Sequence, residues 1–205
     1  MRRVLVLDTE TGGLDPATCA LTEIGAVVAE YDDKWDGPTI LDKFDVLIVP
    51  PDDLHFTPKA LKTQGRSMGL LSRDGIPEAD AIRQFSAFVK RNFSGWAGDI
   101  DTAMHNSSFD FGFFLAAFRR HGIEWPPFSA QHLCTMHWFR LLRFKGHHQV
   151  KKAKLHDHVC PHYGIDIDPA KSHEAWYDCE LTAIALGHMM RDLARVQVAE
   201  LEAAA

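Results

Sequence analysis

Three apolar runs in the first fifty residues have the length and composition of buried strands. They cover residues 2–10, 21–31 and 44–50, and the third ends at Pro50. The turn-rich segment "GGLDPAT" separates the first two runs. Because the runs lie close together in the sequence, we expect neighbouring strands to pair in the antiparallel sense.

The rest of the chain has apolar residues at the three- and four-residue spacing of amphipathic helices. This spacing predicts a helix over residues 76–93, and residues 101–122 are typical of a strand, a turn and a helix that ends at Gly122. Further helices are predicted from Thr57, which would cap a first turn containing Pro58, and over residues 129–146, 154–164 and 174–202. This order of elements predicts an α/β fold, with a mixed sheet flanked by helices.

The 205-residue chain has the composition of an ordinary globular protein, 46% hydrophobic and 24% charged. We expect one domain over residues 1–205, with about the last ten residues as a frayed helix end. No apolar run approaches the ~20 residues of a membrane helix, and "VLVL" is too short for a secretion signal. The protein is therefore expected in the cytoplasm, with reduced cysteines and no membrane partner. Its net charge of −6 argues against a broadly basic surface but allows a local basic groove.

Two carboxylates follow the first apolar run directly. Asp8 and Glu10 stand two positions apart, so on a strand both point to the same face. At ~4 Å they would repel by roughly 4 kcal/mol at an effective dielectric near 20. Asp110 stands at the start of the helix predicted within residues 101–122, while His173 and Asp178 stand around the start of the last helix. Each acid alone would more often be a solvated group or a favourable charge at a helix start.

Three motifs connect these residues to one family. "DTETGGLDP", "HNSSFD" and "HEAWYD" resemble, in this order, the motifs of the DEDDh 3′→5′ exonucleases, a family that includes ribonuclease T and the epsilon proofreading subunit of bacterial DNA polymerase III. Together they span residues 8–178. The second threonine of the family's first motif is Gly12 here, and we expect little consequence because that region would contact substrate largely through its backbone. The resemblance implies an RNase H-like α/β fold with a mixed five-stranded sheet.

The resemblance also implies a metal-dependent hydrolysis at these acids. Two divalent cations, Mg²⁺ or Mn²⁺, would be bound by four carboxylates, those of Asp8, Glu10, Asp110 and Asp178, whose hard oxygen atoms suit these ions. Asp8 would lie between both ions, Glu10 and Asp178 would complete the nucleophile-side site, and Asp110 would hold the second ion. His173 would be the general base toward the attacking water, since imidazole exchanges protons near neutral pH. The products would be nucleoside 5′-monophosphates.

A pocket for the 3′ end of single-stranded DNA or RNA follows from the same resemblance. The backbone at Thr11 and Gly12 would hold the terminal 3′ hydroxyl, and Leu14 would press against the terminal base. Further residues match family positions that line this pocket, namely His105, Asn106 and Phe109. The oligomeric state stays open, with a homodimer as one candidate.

Several alternatives stay open at this point. The substrate could be DNA, RNA or both, and one alternative is an enzyme that trims RNA 3′ ends, as ribonuclease T does. A second alternative is a non-catalytic protein, either a nucleic-acid-binding module or a polymerase accessory subunit. The complete set of five catalytic residues argues against this second alternative. The basic segment 140–158 could bind phosphates or form a solvated surface. A zinc site would draw on Cys134, His137, His156, His158, Cys160 and His162, although their spacing matches no standard zinc motif.

Overall fold

The computed structural model describes residues 1–96, 98–144 and 153–203, and its strands form a six-stranded mixed sheet. The strands are β1 (Arg2–Thr11), β2 (Leu21–Tyr31), β3 (Thr39–Val49), β4 (Ile76–Pro77), β5 (Thr102–Met104) and β6 (Leu133–Cys134). Their order across the sheet is β4-β3-β2-β1-β5-β6. The β1–β2 and β2–β3 pairs are antiparallel, as expected, and the other three pairs are parallel.

Helices cover both faces of this sheet. They are α1 (Pro58–Thr63), α2 (Met68–Asp74), α3 (Glu78–Phe93), α4 (Ser107–Arg120), α5 (Thr135–Phe144), α6 (Cys160–Tyr163) and α7 (Ala175–Ala203). A π-helical turn, Leu155–Val159, leads directly into α6. The predicted cap of α1 is confirmed, because the Thr57 hydroxyl accepts a hydrogen bond from the N–H of Ala60 at 3.1 Å.

The central strand β1 is buried on both faces, and its alternate side chains enter two different cores. Leu5 and Leu7 belong to the core shared with α3 and α4. Val4 and Val6 belong to the core shared with α7. Because side chains alternate along a strand, every even-numbered residue of β1 faces α7. This alternation determines which helix the polar end of β1 will meet.

The predicted mixed sheet between helices is confirmed, but within the described ranges it has six strands rather than five. Its two outermost strands, β4 and β6, contain two residues each, which is too short to show an alternating pattern in the sequence. β4 also occupies the start of the stretch predicted as a helix over residues 76–93, so α3 begins at Glu78. β3 begins at Thr39 rather than at residue 44, in a segment that alternates exposed and half-buried residues.

The prediction of a helix over residues 129–146 is wrong in its first part. Leu133 pairs with Ala103 at the edge of the sheet, and α5 begins only at Thr135. The helix α2 was not predicted, and Ser67 caps it through its hydroxyl. The stretch predicted as a helix over residues 154–164 is the π-helical turn followed by α6.

No helix in the described ranges is both long and apolar enough to cross a bilayer. All four cysteines are free in this structure.

Candidate active site

Asp8 and Glu10 lie at the end of β1, on the face that α7 covers. They continue the series of Val4 and Val6, whose side chains pack in the α7 core. Both acids are half-buried. The apolar strand therefore ends with two carboxylates that point toward the start of α7.

Asp110 reaches the same strand end from the other side of the sheet. β5 pairs with β1 at two positions only, so the edge of β1 is open beyond them. The first turn of α4 lies at this open edge and carries Asp110. Its Oδ1 accepts hydrogen bonds from the N–H of Thr9 at 3.0 Å and from the Thr9 hydroxyl at 2.8 Å. The buried Asp110 carboxylate is thus fixed to the residue between Asp8 and Glu10.

The start of α7 packs on β2 with its backbone in direct contact. A Cβ on Gly25 would lie 2.2 Å from the carbonyl carbon of Ala175 and 2.3 Å from the nitrogen of Trp176. Gly25 lies opposite Asp8 in the β1–β2 pairing. The close approach therefore brings the first turn of α7, which carries Asp178, against the carboxylates of β1.

Gly25→Ala is expected to weaken both the fold and cation binding. The added Cβ would displace the backbone of α7, and overpacking of this kind typically costs ~1–3 kcal/mol. A Mn²⁺ titration followed by thermal unfolding should show a lower Tm and a smaller rise with the ion. The control is Gly187→Ala within α7, where a Cβ would meet its nearest neighbour at 3.5 Å. Equal effects of the two substitutions would show that Gly25 does not position the helix.

His173 lies in the loop before α7 with a left-handed backbone, φ 67°. Such a conformation costs of order 1–3 kcal/mol and needs support from its surroundings. The N–H of Ala175 gives that support by donating to Glu23 Oε1 at 3.0 Å. One ligand atom each of Glu10, His173 and Asp178 lies within 4.8 Å of the others. The structure thus brings the predicted base and two predicted metal ligands into one cluster.

The carboxylates at this site disfavour one another's ionised forms. Burial raises the pKa of Asp8 well above its usual range, and the charges of Asp110 and Asp178 raise it further. Burial, together with the charges of Glu23 and Asp178, raises the pKa of Glu10 from 4.5 to about 9. Burial also raises the pKa of Asp110 to about 7, although its two hydrogen bonds favour ionisation. A divalent cation among these oxygen atoms would favour the ionised forms, so this donor set fits such an ion.

Glu23 is a further acid at this site, and it belongs to none of the three motifs. It is fully buried on β2, opposite Glu10 in the strand pairing. Arg66, in the turn after α1, donates to Glu23 Oε2 from Nε at 3.1 Å and also from Nη2. Burial raises the pKa of Glu23 to about 7, while the Arg66 guanidinium lowers it. Glu23 on β2 therefore connects the turn after α1 with the start of α7, at a position next to Glu10.

A cavity of about 750 Å³ opens beside the cluster. Its lining includes His105, Asn106, His156, His173 and Asp178, together with Thr63, Arg140 and Lys154. This volume is typical of ligand pockets. Arg140 and Lys154 are exposed, and Lys154 pairs with Asp157 at 2.7 Å. Positively charged groups therefore share the cavity with the acidic cluster.

His105 and Asn106 form the turn between β5 and α4, and both line the cavity. Asn106 has a left-handed backbone, φ 76°, which asparagine tolerates better than most residues. His105 Nδ1 lies 2.9 Å from the Thr135 hydroxyl, and its buried Nε2 has no hydrogen-bond partner within the described part of the chain. Burial lowers the pKa of His105 to about 4, so its ring is neutral near pH 7.

The backbone at Thr11 and Gly12 is already partly hydrogen-bonded within the chain. The N–H of Gly12 donates to the carbonyl of Ala20, and its carbonyl accepts from the N–H of Thr57, both at 2.8 Å. The carbonyl of Thr11 accepts from Gln64 Nε2 at 2.6 Å. Because each carbonyl keeps a second lone pair, this backbone could accept a hydrogen bond from a hydroxyl.

Gly12 also fits closely against a neighbouring loop. A Cβ at this position would lie 2.5 Å from the carbonyl oxygen of His55 and 2.8 Å from the Cα of Phe56. The threonine that is common in the family's first motif would therefore require this loop to move. The glycine has a packing role that the motif alone did not suggest.

The remaining predicted substrate residues lie outside the cavity lining. Leu14 is 85% exposed on the loop after β1. The half-buried ring of Phe109 lies 5.1 Å from the ring of Phe113. Their contacts with substrate stay predictions.

Two alternatives left open by the sequence concern phosphate binding by residues 140–158 and zinc binding by nearby Cys and His side chains. Residues 145–152 of the basic segment 140–158 lie outside the described residues, so the role of this segment in binding phosphates stays a prediction. Among the residues that are described, no three of the Cys and His side chains considered for zinc bring their ligand atoms within 4.8 Å.

The sequence model of the RNase_T exonuclease family matches residues 5–186, a range that contains all five predicted catalytic residues. The chain belongs to this exonuclease family. Ribonuclease T of Shewanella denitrificans is 29% identical to it over 193 residues, covering 91% of this chain and 79% of the relative. Ribonuclease T of Escherichia coli K12 is 30% identical over 184 residues, covering 88% and 80%.

A solved structure of E. coli exonuclease I in complex with a dT13 oligonucleotide has a TM-score of 0.76 and 17% identity to this exonuclease. The alignment covers 96% of this chain and 42% of that chain, so the exonuclease spans less than half of exonuclease I. At this identity the likeness shows the fold. The predicted RNase H-like fold and the predicted class, a 3′→5′ exonuclease of the hydrolases, are confirmed by the family and its neighbours.

Several residues around the site of this exonuclease were not predicted. Glu23 interrupts a long apolar run, which indicates a buried acid with a partner, and Gly25 in the same run indicates a close backbone approach. No local sequence pattern indicates that Arg66 or His156 lies at this site, because each belongs to a segment distant from the motifs. His156 Nε2 lies 2.7 Å from Asp178 Oδ1.

Proposed function

We propose that this chain is a divalent-metal-dependent exonuclease that shortens single-stranded DNA or RNA from the 3′ end. The observation that carries this proposal is the cluster of Glu10, His173 and Asp178, whose ligand atoms lie within 4.8 Å beside the acids Asp8 and Asp110. Family membership supplies the class of reaction, and the cluster supplies groups suited to it.

Two cations, Mg²⁺ or Mn²⁺, would be held by the carboxylates of Asp8, Glu10, Asp110 and Asp178. Bound cations would neutralise the charge that develops on the phosphate and lower the pKa of water. Thr9 would keep the Asp110 carboxylate facing the site through its two hydrogen bonds. Glu23 would keep the loop before α7 in place by accepting the N–H of Ala175.

His173 is proposed as the general base. It lines the cavity and is half-buried, so both water and a phosphodiester can reach its ring. Its ring would take the proton of the attacking water, while the fixed loop holds the ring beside Glu10 and Asp178. Attack of this water on the terminal phosphodiester would break the bond between phosphorus and the 3′ oxygen of the preceding nucleotide. The released mononucleotide would then carry a 5′ phosphate, and the shortened strand would keep a 3′ hydroxyl.

The 3′ end would lie between the loop after β1 and the cavity. The Thr11 and Gly12 carbonyls would accept the terminal hydroxyl, and Leu14 would contact the terminal base. The neutral ring of His105, the side chain of Asn106 and the ring of Phe109 would line the nucleotide pocket. Support comes from the spare lone pairs of the two carbonyls and from the cavity lining.

The proposal includes both single-stranded DNA and single-stranded RNA as substrates. Two relatives are named ribonuclease T, and exonuclease I was solved with a dT13 oligonucleotide. The cavity with Arg140 and Lys154 could accept a phosphate backbone of either kind. We further propose that residues 1–205 act as one domain in the cytoplasm, with a homodimer as a candidate assembly.

Side-by-side digestion tests this function. Single-stranded DNA, duplex DNA and RNA of one sequence, each labelled at the 5′ end, are incubated with Mg²⁺, Mn²⁺ or a chelator. We expect single strands to shorten progressively from the 3′ end, nucleoside 5′-monophosphates to accumulate, and the chelator to stop the reaction. A chain that binds these strands but releases no nucleotide with either ion would instead be a binding module.

A further inference from the structure

A second histidine contacts Asp178. His156 Nε2 lies 2.7 Å from Asp178 Oδ1, and the His156 ring centroid lies 5.4 Å from that of His173. The side chains of His156 and Asp178 are only 18% and 13% exposed. Among the described residues Asp178 therefore has two histidine neighbours, and of these two His173 belongs to a family motif.

The π-helical turn positions His156. In this turn the N–H of Val159 donates to the carbonyl of Lys154 at 3.1 Å, five positions earlier. Leu155 and Val159 are buried in the core that α7 shares, so the turn is fixed to the helix that carries Asp178. π-Helical turns are rare and frequently occur at functional sites. The apolar residues of the turn thus hold the His156 ring at the carboxylate.

The direction of this hydrogen bond follows from its acceptor. An ionised carboxylate only accepts, so His156 donates through its Nε2–H, which a neutral imidazole can do. The bond holds Oδ1 of Asp178 and thereby the plane of the carboxylate. Carboxylates that bind metals are commonly hydrogen-bonded by a neighbour in this way.

We propose that His156 is a positioning residue for the cation site, because its Nε2–H holds the Asp178 carboxylate in the orientation that binds a divalent cation together with Glu10. This role rests on the proposed function, since it takes Asp178 as a metal ligand. In this role His156 would contact neither the ion nor the reacting atoms. Removal of such an outer hydrogen bond typically weakens metal affinity 10–100-fold.

Mn²⁺ binding to the full chain, measured by isothermal titration calorimetry, tests this role. The variants are His156→Ala, His156→Gln, His158→Ala and Asp178→Asn. Glutamine keeps an N–H donor close to the place of Nε2, whereas alanine removes the donor. His158 is the matched control, since it is half-buried on the same turn but lies outside the cavity lining. Steady-state kcat and KM for a single strand are measured at saturating Mn²⁺ for each variant.

We expect His156→Ala to bind Mn²⁺ about 10–100-fold more weakly than the parent. His156→Gln and His158→Ala should stay within about threefold of the parent, because the first keeps the donor and the second leaves it untouched. Saturating Mn²⁺ should restore most of the kcat of His156→Ala without a change in KM for the strand. If His156 only stabilised the π-helical turn, saturating Mn²⁺ would not restore the kcat of His156→Ala.

Three results would overturn the role of His156: unchanged Mn²⁺ affinity in His156→Ala, an equal loss in His156→Gln, or an equal loss in His158→Ala. Asp178→Asn separates this failure from that of the proposed function. If Asp178→Asn weakens Mn²⁺ binding and His156→Ala does not, only the role of His156 fails. If Asp178→Asn itself binds Mn²⁺ like the parent, the proposed metal site fails.

Discussion

Asp8→Asn is expected to abolish nearly all exonuclease activity together with the stabilisation by divalent cations. Burial and the charges of four other carboxylates raise the pKa of Asp8 well above its usual range. Metal ions supply several kcal/mol of transition-state stabilisation, so we expect a rate loss of more than about a hundredfold. An ion at a hundred times its Kd stabilises a protein by about 2.7 kcal/mol, and the variant should lack this gain.

Initial rates and thermal unfolding with and without Mn²⁺ measure both effects. Asp166→Asn removes the same charge from an exposed position and should leave rate and metal response unchanged. A rise in Tm with Mn²⁺ that is as large in Asp8→Asn as in the parent would place the ions elsewhere.

Without cations, the stability of the parent should fall as the pH rises. The pKa of Glu10 is raised from 4.5 to about 9 in the folded state, so the folded state binds this proton more tightly than the unfolded state does. Its contribution to stability is complete below pH 4.5 and is lost as the pH rises toward about 9. Asp8→Asn removes a carboxylate whose ionised form is disfavoured by burial and by the charges of Glu10 and three other acids, so the metal-free variant should be at least as stable as the parent at high pH.

His173→Ala is expected to slow turnover by ~10²–10⁴-fold, the usual contribution of a general base. Binding of Mn²⁺ and of the strand should change little, because His173 acts on the attacking water in this account. Asp178→Asn should instead weaken Mn²⁺ binding. Metal titrations and steady-state turnover rates of the parent and both variants provide the comparison.

Two outcomes would contradict the role given to His173. A loss of Mn²⁺ affinity as large as that of Asp178→Asn would make it a metal ligand, which its place within 4.8 Å of Glu10 and Asp178 allows sterically. Full turnover in His173→Ala would mean that no protein base is needed.

The sequence was sufficient to predict the central strands and the acids at their ends. A continuous apolar run predicts a buried strand, and the two-residue spacing of Asp8 and Glu10 puts both on one face. That this face meets α7 rather than α4 depends on which core the alternate residues enter, and this is a tertiary property. The grouping of Asp110 and Asp178 with these acids came from the family resemblance, since no local pattern joins such distant positions.

The elements and contacts that escaped prediction depend on long-range packing. β4 and β6 exist only because each lies against a longer strand, at Ile48–Val49 and Ala103–Met104 respectively. The contact of Arg66 with Glu23 and that of His156 with Asp178 join residues 43 and 22 positions apart. Periodicity and turn chemistry report on neighbours within a few positions, so they carry no information about such pairs.

Digestion of one single strand with two different 3′ ends tests the central claim most directly. A 5′-labelled strand is prepared with either a 3′ hydroxyl or a 3′ phosphate and is incubated with the parent chain and Mg²⁺ or Mn²⁺. If the Thr11 and Gly12 carbonyls accept a terminal hydroxyl beside the carboxylate cluster, a phosphate there would meet lone pairs and negative charge. The 3′-hydroxyl strand should therefore shorten stepwise to nucleoside 5′-monophosphates, while the 3′-phosphorylated strand stays intact. Equal degradation of both strands, or internal fragments from either, would contradict a 3′→5′ exonuclease that acts at this site.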